Sequence, residues 1–185
     1  MDQRIKKTKR ILKDTLTAMM QEQHFQNITV KDLTKRANIN RGTFYLHYQD
    51  VPQMLSALED EILFDLTKIV EKKGPIGPEL SVIPTLIELI DYLHKDLGFC
   101  KMLVGPHGDI NFVEKLKQSM IVEAKKTVPD LVRKYDDTFI HFLMTFIVSG
   151  SIGVFQEWFK SDCQTPLPYI MEPCEKMIVN GLSSM

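Results

Sequence analysis

Apolar residues recur at spacings of three, four or seven along most of the chain, which is the pattern of amphipathic helices. In the first segment Leu12, Leu16 and Met19 lie on one stripe, whereas Arg4 and Lys7 lie off it. The alternation of period two that marks half-buried strands is absent from the sequence, as are internal repeats. The pattern therefore predicts an all-α fold.

Two short helices separated by a tight turn are predicted between residues 29 and 48. Thr29 followed by Asp32 has the outline of a capping box, with Asp in place of the usual Glu. The helix that follows should stop at Asn38, a residue that tolerates the left-handed conformation. Asn40 can then cap a second short helix, from Arg41 to about Tyr48.

Longer helices are predicted for the rest of the chain. Asp50 can cap the first of them, which runs over 51–73 with Pro52 in its first turn, where the missing N–H does no harm. The run Gly74-Pro-Ile-Gly-Pro78 is the one strongly loop-like segment. The remaining helices are predicted at about 79–97, 111–127, 136–160 and 168–182.

Composition is that of an ordinary globular protein, but the charge is divided unevenly along the chain. The 185 residues are 44% hydrophobic and 25% charged, with a net charge of −1. Residues 1–50 hold ten Lys and Arg against five Asp and Glu, a net +5, and residues 51–185 carry −6. A basic first quarter indicates that this end meets a polyanion, although a chance fluctuation would produce the same split.

The two short helices form a helix-turn-helix, in which the second helix enters the DNA major groove and its side chains reach base edges. A small residue lets the backbone approach DNA, and hydroxyl and basic side chains reach phosphates or bases. For each residue alone a purely structural role is sufficient, but the combination on a basic segment favours DNA binding. The candidate DNA-binding residues are Thr29, Arg41, Gly42, Thr43, Tyr45 and His47.

The segment from Thr29 to Asp50, and above all the run Arg41-Gly-Thr-Phe-Tyr-Leu-His-Tyr48, resembles the DNA-binding domain of the tetracycline-repressor (TetR/AcrR) family. The resemblance is tight over about residues 5–60 and architectural beyond. It implies a three-helix DNA-binding head over 1–50 and a larger helical domain over 51–185 for effector binding and dimerisation. Members of this family are mostly repressors that release DNA when a small molecule binds.

The resemblance also implies roles for single residues. Thr29 would hold a phosphate at the start of the second helix of the head. Arg41 and Thr43 lie where family members contact bases or nearby phosphates, and Gly42 lies where a small or imino residue is common.

Tyr45 and His47 match positions that usually grip the DNA backbone. The sequence departs from the family pattern directly afterwards, since Val51 stands where a phosphate-binding Lys is frequent and Gln49 where a basic residue is frequent. One charge-assisted contact to DNA is therefore in doubt.

The C-terminal region carries weaker signals. Its segment 99–109 resembles a subgroup that includes a regulator of dihydroxyacetone kinase genes. Ser149, Gly150 and Gly153 would allow close approach of another helix, which suits either a dimer seam or an internal contact. Aromatic and Met side chains could line an apolar effector pocket or simply form core. The pocket candidates are Phe99, Met102, Met120, Phe142, Met144 and Phe146.

The sequence therefore predicts a DNA-binding transcriptional regulator that binds a near-palindromic double-stranded operator as a homodimer under small-molecule control. The alternative is a helical effector- or protein-binding module with the same fold and little DNA affinity. No catalytic motif, cofactor loop or metal-ligand spacing occurs in the sequence, so neither an enzyme nor a cofactor is expected. Three cysteines without a Cys-x-x-Cys pair, and no uninterrupted apolar stretch of about 20 residues, favour a cytoplasmic protein without a membrane partner.

Overall fold

The computed structural model describes residues 3–73, 83–104 and 109–184, and every regular element in these ranges is helical. The prediction of an all-α fold is confirmed. The helices are α1 Gln3–Glu22, α2 Val30–Ala37, α3 Arg41–Tyr45, α4 Val51–Lys73, α5 Ile83–His94, α6 Leu97–Leu103, α7 Ile110–Thr127, α8 Pro129–Lys134, α9 Asp137–Lys160 and α10 Leu167–Ser183, with a short 3₁₀ turn at Phe25–Asn27.

The helix boundaries agree with the sequence pattern at most ends, and differ at four places. Helix α5 ends at His94 rather than at about 97. Regular α-helix in α3 stops at Tyr45 rather than about Tyr48. The short helices α6 and α8 were not predicted, because they are too short for a periodic signal and have no side-chain cap of the kind that marks α3. The predicted loop 74–78 and the predicted helix start at 79 lie outside the described residues.

The chain divides into two compact units. The first consists of Met1–Ile62 with Asp96–Phe112, and the second of Leu63–Lys95 with Val113–Met185. Helix α4 contributes residues to both units. Helix α6, although distant in sequence, belongs to the first unit together with the two short helices.

In the first unit, α1 packs against α2 and α6, and α2 packs against α3. Leu12 and Leu16 of α1 are completely buried, as is Phe99 of α6. Lys13 forms an ion pair with Asp96, and its ammonium group lies 4.6 Å from the centre of the Phe99 ring. A cation over an aromatic face adds to the ion pair, so these contacts fasten α6 to the first helix.

In the second unit, α7, α9 and α10 contribute one hydrophobic cluster. Its buried members are Ile121, Val128, Ile140, Met144, Val148 and Leu182. At the far end of α9, the indole N–H of Trp158 donates a hydrogen bond of 2.8 Å to the carbonyl oxygen of Thr165. The His94 ring meets the Trp158 ring edge-on, with centroids 5.7 Å apart.

Helix α9 leaves much of its apolar surface uncovered. By length and composition it could span a membrane, and only 17% of its apolar window is buried inside the chain. Polar residues interrupt the apolar sequence of this helix, but between Asp137 and Glu157 they carry no Asp, Glu, Lys or Arg charge. Phe142 is 69% exposed and Phe146 is 79% exposed, whereas Met144 between them is buried.

Candidate nucleic-acid interface

The turn between α2 and α3 is fixed by hydrogen bonds that the local sequence supplies. Asn38 is left-handed (φ 52°, ψ 43°), and the N–H of Ile39 donates to the carbonyl oxygen of Thr34 at 3.0 Å. This pattern closes α2 in a Schellman motif. The side chain of Asn40 then accepts from the N–H of Gly42 at 2.7 Å and begins α3. The predicted turn at Asn38 and the predicted cap at Asn40 are both confirmed.

The cap of α2 differs from an ordinary capping box. Thr29 Oγ1 accepts from the N–H of Asp32 at 3.2 Å, as predicted, and also donates to Asp32 Oδ2 at 2.6 Å. The hydroxyl hydrogen is therefore already bonded, and a carboxylate lies beside the helix start. A phosphate could accept from Thr29 only if this second bond were exchanged.

One side of α3 is anchored in the first unit. Phe44 is completely buried and Tyr48 nearly so, with ring centroids 5.8 Å apart. The ammonium group of Lys9 lies 5.7 Å from the centre of the Tyr48 ring. Burial raises the pKa of Tyr48 above its ordinary value, with the carboxylate of Glu61 adding to the effect. These contacts fix how α3 rotates about its axis.

Five of the six sequence-predicted DNA-binding residues lie in α3 or in the turn that follows it, and each is at least partly exposed. Arg41, Gly42 and Tyr45 are exposed, and Thr43 and His47 are half-buried. The sixth, Thr29, lies at the start of α2.

Helical hydrogen bonding continues past the regular end of α3. The N–H of Leu46 donates to the carbonyl oxygen of Gly42 at 3.2 Å, and that of Tyr48 to Phe44 at 3.0 Å. The chain therefore keeps helical hydrogen bonds up to Tyr48, although the regular helix ends at Tyr45 and not at about Tyr48 as predicted.

Several exposed cations of the first unit have no ion-pair partner within the described ranges. They are Lys6, Lys7, Lys31, Lys35 and Arg41. Lys31 and Lys35 of α2 were missed by the sequence reasoning, although their spacing of four places them on one helix face. Unpaired cations are available to neutralise phosphates.

Other cations of this unit are engaged with acidic groups. Arg36 donates two hydrogen bonds of 2.7 Å to the carboxylate of Glu22. The hydrogen bond lowers the pKa of Glu22 and raises that of Arg36. This pair joins the end of α2 to the end of α1, so its role is structural.

The start of α4 offers no cation in place of the family's usual Lys. Val51 is almost completely buried, so an apolar side chain occupies the core there. Asp50 Oδ1 accepts from the N–H of Gln53 at 2.7 Å, which confirms the predicted cap. The carboxylate of Asp50 therefore stands at this helix start.

The six pocket candidates are distributed over both units. Phe99 and Met102 are buried in the first unit. In the second unit Met144 belongs to the hydrophobic cluster and Met120 packs against it, whereas Phe142 and Phe146 are exposed. A surface cleft of about 400 Å³ between α7, α8 and α9 contains none of the six. The effector pocket stays a prediction.

No group of three or more His, Cys, Asp or Glu that could hold a metal ion occurs among the described residues.

Fold and site together define a helix-turn-helix protein of the kind that regulates transcription. Residues 81–180 match a protein family described as the transcriptional regulator C-terminal region, TetR_C_8. Because this match covers more than half of the chain, the chain belongs to the TetR family of transcriptional regulators.

Individual relatives agree with this assignment. The chain is 34% identical over 104 residues to the uncharacterised HTH-type transcriptional regulator YxbF of Bacillus subtilis (strain 168). The alignment covers 51% of this chain and 26% of that relative, so the chain spans about a quarter of the relative's length.

Three solved structures share the fold over nearly their whole length. The fatty acid degradation regulator FadR from Bacillus halodurans superposes with a TM-score of 0.68 at 15% identity, covering 95% of this chain and 96% of that one. A TetR transcriptional regulator from Streptococcus agalactiae 2603V gives 0.66 at 22% identity, covering 96% and 97%. The dihydroxyacetone kinase operon activator DhaS gives 0.65 at 18% identity, with the same coverage. At these identities the likeness establishes the fold alone.

Proposed function

We propose that this chain is a cytoplasmic transcriptional repressor that binds a near-palindromic DNA operator as a homodimer. Residues 1–50 form the DNA-binding head, and residues 51–185 serve effector binding and dimerisation. The observation that carries the proposal is the exposed side of α3. The helix is anchored by the buried side chains of Phe44 and Tyr48, which pack into the core on its other side. A helix fixed in this way can enter the major groove with a defined rotation.

The residues of the interface have separate roles in this proposal. Arg41 and Thr43 contact bases, Tyr45 and His47 grip the flanking backbone, and Gly42 lets the helix approach closely. Arg41→Ala should relax base preference at one position per half-site, at a cost of about 1–3 kcal/mol if the contact is bidentate. Tyr45→Phe removes only a hydroxyl and should weaken binding evenly across sequences, because a phosphate contact carries little sequence information. Equilibrium titrations of both variants against a selected operator and its single-base variants test these roles. If Arg41→Ala left every base preference intact and Tyr45→Phe changed one, the two assignments would have to be reversed.

The unpaired cations supply the electrostatic part of the affinity. Lys6 and Lys7 of α1 are exposed and have no ion pair within the described part of the chain. If each neutralises one phosphate, then Lys6→Gln and Lys7→Gln should each reduce the log–log salt slope of binding by roughly 0.9. Arg133→Gln is a suitable control, because this cation lies on α8 outside the proposed interfaces and pairs with Asp130.

Dimerisation through α9 and α10 is supported by the apolar residues that these helices expose. They are Phe139, Phe142, Phe146, Tyr169 and Met177. A Cβ atom added at Gly150 or Gly153 would meet no other atom within 4 Å among the described residues. Internal helix packing in that part of the chain therefore does not require small residues at these positions. This favours a role for them in a dimer interface over a role in an internal contact. A twofold dimer would set the recognition helices about 34–36 Å apart, or somewhat more.

Effector control is proposed to act through α4 and α6. Helix α4 contributes to both compact units, and α6 is fastened to α1 by Lys13. An effector can change operator affinity only by its differential affinity for two head arrangements, typically about 1–3 kcal/mol. A thermal-shift screen followed by operator titration tests this. A compound that stabilises the chain but leaves operator affinity unchanged counts against coupling.

In this proposal the chain belongs to the subgroup that includes a regulator of dihydroxyacetone kinase genes, because its segment 99–109 resembles that subgroup. Binding of the purified chain to DNA upstream of such a kinase gene, but not to unrelated DNA, is the test.

The second candidate is a helical module that has lost specific DNA binding. It is favoured by the buried Val51 and by the carboxylates of Asp32 and Asp50 at two helix starts, where phosphates would otherwise be held. Selection from a random duplex library separates the candidates. Recovery of a palindromic sequence supports the repressor, and recovery of no sequence supports the module.

A further inference from the structure

Leu46 is the most exposed large hydrophobic residue of the described chain, at 80%. It follows Tyr45 directly and keeps right-handed helical geometry at the end of α3. Single exposed apolar residues are common on protein surfaces and by themselves indicate nothing. Leu46 differs from such residues because it lies on the side of α3 that is proposed to face DNA.

The buried residues behind α3 determine where Leu46 points. At about 100° per residue, Leu46 is two residues and about 200° from both Phe44 and Tyr48, so it is separated from each by about 160° around the helix axis. Since both of those residues are buried, Leu46 stands at the centre of the outward side. Gly42 is its neighbour one turn earlier, and Gly42 has no side chain to compete for space. Arg41, the first residue of α3, lies about 140° away and therefore beyond the edge of this side.

We infer that Leu46 determines specificity by packing against the 5-methyl group of a thymine in each operator half-site. This inference rests on the proposed insertion of α3 into the major groove. The thymine methyl is the apolar group that B-DNA presents there, whereas the other base edges present hydrogen-bond donors and acceptors. A Leu side chain forms no hydrogen bonds. If it covered any other base edge, the polar groups there would lose their hydrogen bonds to water without gaining new ones, which costs binding free energy.

The experiment removes the methyl group from the DNA and the side chain from the protein. The probe is a duplex selected by the full-length chain from a randomised library. Each thymine is then replaced singly by deoxyuridine, which lacks only the methyl group. Wild type, Leu46→Ala and Leu46→Met are titrated against this set. Val122→Ala, which truncates an exposed apolar residue of α7, is the matched control.

We expect deoxyuridine at one thymine per half-site to weaken wild-type binding about fourfold, the factor that corresponds to one buried methyl group. Leu46→Ala should bind the unmodified duplex more weakly and lose this sensitivity. Leu46→Met should retain it, because Met is also apolar and long. Val122→Ala should behave like the wild type.

Three outcomes would overturn the inference. They are a wild-type chain indifferent to deoxyuridine at every position, a selected site without thymine in its half-sites, and an equal deoxyuridine effect in wild type and Leu46→Ala. The scan with the wild type needs no variant to fold, and circular dichroism checks the variants. Failure to select any DNA would instead refute the proposed function, so the two failures are distinguishable.

Discussion

Replacing Phe146 with Ala tests the proposed dimer at its most exposed aromatic residue. Phe146 is 79% exposed on α9 of the single chain. A Phe side chain buries roughly 150–250 Å² when fully covered, so a partner helix could cover about 150 Å² of this ring. At about 25 cal/mol per Å² this burial contributes about 4 kcal/mol per ring, and a twofold interface contains two rings.

The measured effect should be smaller than this area suggests, because part of the burial free energy is offset by the ordering of side chains and the loss of free motion on association. Ala also retains part of the contact. We therefore expect the dimer dissociation constant to rise roughly 100- to 1,000-fold, a loss of about 3–4 kcal/mol. Sedimentation equilibrium over nanomolar to micromolar concentrations measures the constant directly.

A matched control distinguishes an interface from a general loss of stability. Phe64 of α4 is also an exposed Phe, at 61%, and lies outside the proposed interface. Phe64→Ala should leave the dissociation constant unchanged. A monomeric wild type at micromolar concentration, or an unchanged constant in Phe146→Ala, would refute the reasoning. Equal effects in both variants would show that Phe146 has no special place in the interface.

Two further predictions concern single side chains. Asp32→Asn removes the charge beside Thr29 and should tighten operator binding a few-fold, at a helix-dipole cost to stability of about 0.3–1 kcal/mol; gel-shift titration checks this, and weaker binding by a fully folded variant would contradict it. Burial raises the pKa of Cys100 to about 12, so near pH 8 this thiol stays protonated and unreactive. A thiol reagent should therefore label the less buried Cys163 and Cys174 in the native chain, and Cys100 only after denaturant is added; rapid labelling of all three thiols without denaturant would contradict the buried position of Cys100.

The local parts of the site were predictable from the sequence, because they depend on interactions between neighbours in the chain. A capping side chain accepts a hydrogen bond from a backbone N–H two or three residues away. A left-handed residue ends a helix through hydrogen bonds that span at most five residues. The caps at Thr29, Asn40 and Asp50 and the turn at Asn38 are therefore where the sequence predicted them.

The helical period also separates three of the predicted pocket residues. Phe142, Met144 and Phe146 were grouped as pocket candidates, but residues two apart lie about 200° apart on a helix. Met144 had to face away from the two Phe residues, and in the structure it is buried while they are exposed. The period therefore places Met144 on a different face from the two Phe residues, and the pocket itself stays a prediction.

Other features were decided only by the tertiary structure. The sequence alone determined that the chain is helical, where most helices begin and end, and which residues could form a DNA-reading segment. It did not determine that α6 joins the first unit through Phe99 and Lys13, that Val51 is buried, or that one side of α9 remains uncovered. The physical reason is that periodicity identifies which residues share a helix face. Which other helix covers that face depends on packing between segments far apart in the chain.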